Sequence, residues 1–133
     1  MKVINSSDIS PFGCLNFVLK EFESLHLGEF LNENLPCLPA QSKYQWKDIL
    51  YSFWSIYFCG GDCIEDISGN FKHHFRQNPF LKIPSPDRIL ERFKNLSFPK
   101  ENFIVPRGTV RHEFSFNDPL NKLNLHILNK IRI

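Results

Sequence analysis

The stretch Tyr44-Gln45-Trp46-Lys47-Asp48-Ile49-Leu50-Tyr51-Ser52-Phe53-Trp54-Ser55-Ile56-Tyr57-Phe58-Cys59-Gly60-Gly61 decides the fold class. Trp46, Ile49, Leu50, Phe53, Trp54 and Tyr57 recur at the spacing of one helix face, and the double glycine ends the run. Such an aromatic stripe builds a core; stacking on nucleic-acid bases is the rival use of the same rings. The expectation is a central core helix.

Toward the N-terminus, Ser10-Pro11-Phe12-Gly13 reads as a turn, and Leu15, Val18, Phe22 and Leu25 then recur at helical spacing up to Gly28. Leu35-Pro36-Cys37-Leu38-Pro39 is too rigid and too poor in free amides for a helix interior, so it reads as a connector.

Toward the C-terminus, Asp62 is placed to cap a short helix carrying Ile64 and Ile67, and Ser68-Gly69-Asn70 offers a turn. Phe71-Lys72-His73-His74-Phe75-Arg76 is a short basic segment halted by Asn78-Pro79. In Pro84-Ser85-Pro86-Asp87, Ser85 is the N-cap, Pro86 takes the first helical position without losing a hydrogen bond, and Asp87 favours the helix dipole. The helix should run from Pro86 to about Leu96, with Ile89, Leu90, Phe93 and Leu96 inward and Arg88, Arg92 and Asn95 on the opposite side. Arg and Asn make bidentate contacts to guanine and adenine edges in the major groove, so residues 62–96 sketch a helix-turn-helix-like unit. Its rival is a helical hairpin with a solvated basic face. On the DNA reading the contact set is Lys72, His73, Arg76, Lys82, Ser85, Arg88, Arg92, Lys94 and Asn95. Arg88 and Arg92 are expected to read bases, and Lys72 and Lys82 to hold the backbone.

Beyond Pro99, Val110, His112, Phe114 and Phe116 alternate with Arg111, Glu113 and Ser115, which predicts a short β segment near residues 110–116. Asp118-Pro119 then starts a helix with Leu120, Leu123, Ile127, Leu128 and Ile131 on one side. The whole reads as a mainly α protein, a helical bundle containing the helix-turn-helix-like unit. The expected division is a helical domain over 1–98, followed by a linker, strand and helix over 99–133.

Composition narrows the function classes. In residues 1–70 nine Asp/Glu outweigh four Lys/Arg, whereas in residues 71–133 twelve Lys/Arg outweigh five Asp/Glu. A basic half attached to an acidic one points to a polyanionic partner, or else to halves that neutralise each other. The sequence carries fourteen Phe and two Trp against the single Ala40, so aromatic rings must fill the core. Neither a signal-peptide run nor a membrane span is present, so the expected location is cytoplasmic.

Cys14, Cys37, Cys59 and Cys63 lack the paired spacing of a zinc site and are expected to be reduced, mostly buried thiols. Asp62, Glu65 and Asp66 form the tightest acidic cluster, but Asp62 is better used as a cap than as a metal ligand. No phosphate loop, nucleophile elbow or zinc-protease pair can be placed; His112-Glu113 lacks the second His. No self-contained active site and no cofactor are expected.

Four segments together resemble one family. They are Ile9-Ser10-Pro11-Phe12-Gly13-Cys14-Leu15-Asn16-Phe17, Cys59-Gly60-Gly61-Asp62-Cys63-Ile64-Glu65-Asp66-Ile67, Ile83-Pro84-Ser85-Pro86-Asp87-Arg88-Ile89-Leu90 and His112-Glu113-Phe114-Ser115-Phe116-Asn117-Asp118. In this order they resemble the DDE transposases of bacterial insertion sequences. The resemblance implies the helical, DNA-binding part that precedes a ribonuclease-H-like catalytic domain. That domain's three acids hold divalent metal, magnesium, for strand transfer, and none of them matches a position here. The implied partner is duplex DNA at the element's inverted-repeat ends, bound without cutting, with self-association left open. Cys14 departs from the family's usual small residue, and Asn129-Lys130-Ile131-Arg132-Ile133 resembles a truncated end, which makes a degenerate remnant one alternative. The other is a protein interaction module that docks through the helix carrying Leu123 and Ile127.

Overall fold

The computed structural model describes residues 10–96, 101–104, 111–114 and 118–131. Among them the chain is mainly helical: α1 (Gly13–Ser24), α2 (Leu27–Asn34), α3 (Trp46–Phe58), a 3-10 turn (Ile64–Ile67), α4 (Lys72–Arg76), α5 (Pro86–Asn95) and α6 (Asp118–Ile131). An antiparallel pair, β1 (Glu101–Ile104) and β2 (Arg111–Phe114), sets Glu101 opposite Phe114 and Ile104 opposite Arg111. Val110 and Phe116, and the expected boundary after residue 98, lie outside the described residues. Two compact units divide within α5, at Ile89 and Leu90. No described helix is long and apolar enough to cross a membrane.

In the first unit α3 is the hub, packing against α1, α2 and the 3-10 turn. At its start the Gln45 N–H donates to Asp48 Oδ2 at 3.0 Å, the carboxylate arm of a capping box that satisfies an otherwise orphan donor. Its end is a complete Schellman motif. Gly60 takes φ 82°, its N–H donates to Tyr57 O at 3.1 Å, and the Gly61 N–H donates to Ile56 O at 2.8 Å. The buried face carries Trp46, Ile49, Leu50, Tyr51 and Ile56, against Leu15 and Leu19 of α1 and Leu27 and Leu31 of α2 as the other buried apolar residues of the three helices. Each such fully buried side chain stabilises the fold by about 1.5–3 kcal/mol. Tyr57, expected inward, is 48% exposed, because Ile56 and not Tyr57 completes the inward stripe.

The first amphipathic run is broken. His26 adopts φ 52° and separates α1 from α2, where the sequence pattern reads one helix ending at Gly28. Histidine is among the side chains that tolerate the left-handed region, so no glycine marks the break. Gly28 itself lies inside α2, where a Cβ would come within 2.6 Å of Lys47 Cδ. Its missing side chain lets Lys47 cross α2 and reach Glu23 Oε2 at 2.7 Å.

The connector before α3 is non-helical as its prolines dictate, and the Trp46 indole N–H donates to Pro36 O at 2.7 Å. Tyr44 also precedes the helix; its hydroxyl donates to Ile83 O at 3.1 Å. The four cysteines are free, and the expectation of burial fails for three of them. Cys14, Cys37 and Cys63 are exposed because they occupy the outer face of α1, the proline connector and the loop after α3. Cys59 is half-buried, and burial, with Cys14 nearby, pushes its thiol up to about 11. With the thiolate as the nucleophile, Cys59 should be the last of the four to react with iodoacetamide at neutral pH. Peptide mapping of partially alkylated protein checks the order, and modification of Cys59 ahead of Cys37 would contradict it.

The second unit holds the end of α5, the β1–β2 pair and α6. Leu96 and Leu123 are buried in it. Along α6 the inward stripe is Leu120, Leu123 and Ile127; Leu128, expected on the same side, is 65% exposed, as is Leu125 at 62%.

Candidate nucleic-acid interface

The basic residues before α5 rest on a fixed platform. Phe71 and Phe75 stack at 5.3 Å between ring centroids, and Phe12 meets Phe71 edge-on at 5.2 Å, so both inward positions of α4 are pinned to the core. Lys72 and Arg76, one helical turn apart on the other side, are left exposed. His73 is exposed, with its Nε2 3.2 Å from Gln77 Nε2, while His74 is half-buried with its ring edge-on to Phe12.

The turn leading into α4 is capped differently from the sequence expectation. Asp66, not Asp62, is the capping carboxylate. Asp66 Oδ2 accepts from the Asp62 N–H at 3.1 Å and the Cys63 N–H at 3.4 Å, and Asp66 Oδ1 accepts from Asn70 Nδ2 at 3.1 Å. These backbone donors hold the Asp66 carboxyl below the usual carboxylate range. Because the folded pKa is depressed, the associated stability is present above the ordinary carboxylate value and is lost as pH falls through the folded one. Asp66→Ala should therefore melt below the parent at about pH 7, and the gap should narrow by about pH 3. Paired thermal melts at the two pH values check this; a gap independent of pH would show that the carboxylate charge is not what the cap uses. With both oxygens so engaged, Asp66 is a poor metal ligand, and no group of three His, Cys, Asp or Glu that could hold a metal occurs among the described residues.

Residues 77–85 join α4 to α5 without helix. They are fixed from below: the Ser52 hydroxyl donates to Lys82 O at 3.3 Å, Tyr44 reaches Ile83 O, and Asn78 Nδ2 donates to Asn16 Oδ1 at 2.6 Å. Lys82 is exposed on this connector while Leu81 and Pro84 on either side of it are buried. The connector is longer than the three or four residues that join the helices of a compact helix-turn-helix, and α4 is a helix of only five residues.

At the start of α5 the Ser85 carbonyl accepts from the Arg88 N–H at 3.0 Å and the Ile89 N–H at 3.2 Å, which makes Ser85 the N-cap, and Pro86 is the first helical residue. Ile89 is fully buried, so Arg88 is turned outward and exposed. Arg92, one turn on, is half-buried and is therefore not equivalent to Arg88. Lys94 and Asn95, near the helix end, are exposed. Of the nine sequence-derived residues, Lys72, His73, Arg76, Lys82, Ser85 and Arg88 belong to the first compact unit, and Arg92, Lys94 and Asn95 to the second. Sequence reasoning missed Lys43 and Lys47, which lie with Lys82 around one cleft of the first unit; their distance along the chain hides this grouping. No protein family, no curated protein and no solved structure matches the chain.

Proposed function

We propose that this chain is a duplex-DNA-binding module of the insertion-sequence transposase type, which recognises element-end DNA without cutting it. The observation that carries the reading is the outward placement of Lys72, Arg76, Lys82 and Arg88 in the first compact unit, against which residues 71–89 offer only Asp87 as an acid. Exposed cations bind phosphates by releasing the counterions condensed on the duplex. Pro86 and the Ser85 cap direct the first turn of α5, with Arg88, toward solvent, the part of a recognition helix that reaches base edges. In this reading the helix-turn-helix-like unit of residues 62–96 would use α4 and α5, joined by a connector longer than the compact motif has.

Binding is tested by selecting sites from a random duplex pool and competing selected against shuffled DNA at fixed salt. Arg88→Ala should cost about 1–3 kcal/mol on the selected site and relax discrimination there, while Lys72→Ala should weaken all sequences alike. Equal losses on both DNAs for Arg88→Ala would reduce α5 to an electrostatic patch. A second reading, a protein interaction module docking through α6, is favoured by the exposed Leu125 and Leu128 and not by the expected Leu123 and Ile127, which face inward. It predicts self-association or partner binding that Leu125→Gln with Leu128→Gln removes while duplex binding stays.

A further inference from the structure

Between the start of α3 and the connector at residues 79–82 lies a cleft of about 340 Å³ whose charged lining is Lys43, Lys47, Lys82, Glu23 and Asp48. Of these five charges Lys47 and Glu23 cancel each other, and Asp48 keeps its negative charge while it caps α3. Lys47 Nζ pairs with Glu23 Oε2 at 2.7 Å, and the Asp48 carboxylate accepts the Gln45 N–H. Lys43 and Lys82 remain. Neither has a carboxylate within ion-pair distance among the described residues, and Lys43 Nζ lies 5.3 Å from the Tyr44 ring centroid. The walls are fixed: Pro79 restricts the connector, Ser52 holds the Lys82 carbonyl, and Tyr44, between the cleft residues Lys43 and Gln45, is tied to Ile83. Two ammonium groups without an ion-pair partner, on a fixed polar cleft whose charged lining sums to one positive charge, make a site for a compact anion, while the dipole of the thirteen-residue α3 is offset by the Asp48 carboxylate in its first turn.

We propose that this cleft binds a phosphate group between the ammonium groups of Lys43 and Lys82. The group is either a phosphodiester of a nucleic-acid backbone or a free phosphate, both of which offer oxygens that accept from two lysines. The site takes an anion whether or not α5 reads bases, so it stands apart from the duplex reading, with which it shares only Lys82.

The test is a backbone-amide NMR titration of the full chain, first with inorganic phosphate and then with a short duplex, against chloride at matched ionic strength. Saturable shifts at residues 42–48 and 80–82 are expected. Lys43→Gln with Lys82→Gln should weaken them by about tenfold or more, as loss of charge-assisted hydrogen bonds does, whereas Lys20→Gln on α1 should leave them unchanged. The amide spectrum itself reports whether each variant folds. A response to inorganic phosphate assigns the site to free phosphate, and a response to duplex alone assigns it to a backbone phosphodiester; either supports the cleft. Shifts that match those in chloride, or that persist in the double variant, overturn it. Duplex binding that survives the double variant without shifts at residues 42–48 would remove this site and leave the α5 reading intact.

Discussion

Raising salt fourfold should weaken duplex binding by about 150-fold. If Lys72, Arg76, Lys82 and Arg88 each neutralise one phosphate, about four counterions are released, and log affinity falls against log salt with a slope of about −3.6. Each of these side chains is exposed and projects from a backbone held by buried neighbours: Phe71 and Phe75 for α4, Leu81 and Pro84 for the connector, Ile89 for the start of α5. The measurement is fluorescence anisotropy of a labelled duplex across a salt series. Removing Lys72 or Arg76 should make the slope shallower by about one, since each accounts for one phosphate. A slope near zero would eliminate the electrostatic footprint on which the DNA reading rests.

The second large effect is on the fold. A Cβ at Gly61 would lie 2.6 Å from Ile56 Cγ2 and 2.7 Å from Phe71 Cε2. Both neighbours are core residues, Ile56 fully buried and Phe71 7% exposed, so neither can withdraw cheaply. Gly61→Val should destabilise the protein by about 3 kcal/mol through overpacking, measured by urea unfolding. Gly60 is the control: it takes φ 82° but a Cβ there meets nothing within 4 Å, so Gly60→Ala should cost only about 1 kcal/mol of backbone strain. Equal effects at the two glycines would mean that the Schellman turn, not the Ile56–Phe71 contact, limits this position. Because Phe71 leads directly into α4, Gly61→Val should also displace Lys72 and Arg76 and weaken duplex binding, whereas Gly60→Ala should not.

The sequence by itself determined the elements whose signals are local. The period of Trp46, Ile49 and Leu50 with the following Gly60-Gly61 marks α3, and Ser85-Pro86-Asp87 marks the start of α5, because caps, prolines and left-handed glycines act within one turn of chain. It also placed Lys72, Arg76 and Arg88 outside, since the inward positions beside them are apolar. Tertiary structure alone decided the rest. The break at His26 has no local breaker and allows α1 and α2 each to turn two leucines into the core. The transfer of capping from Asp62 to Asp66 follows from which carboxylate can reach two backbone N–H groups at once. The role of Gly28 depends on Lys47, far along the chain, crossing over it to Glu23. The convergence of Lys43, Lys47 and Lys82 on one cleft likewise follows from Ser52 and Tyr44 tying the 79–83 connector to α3, an interaction between segments that no local pattern encodes.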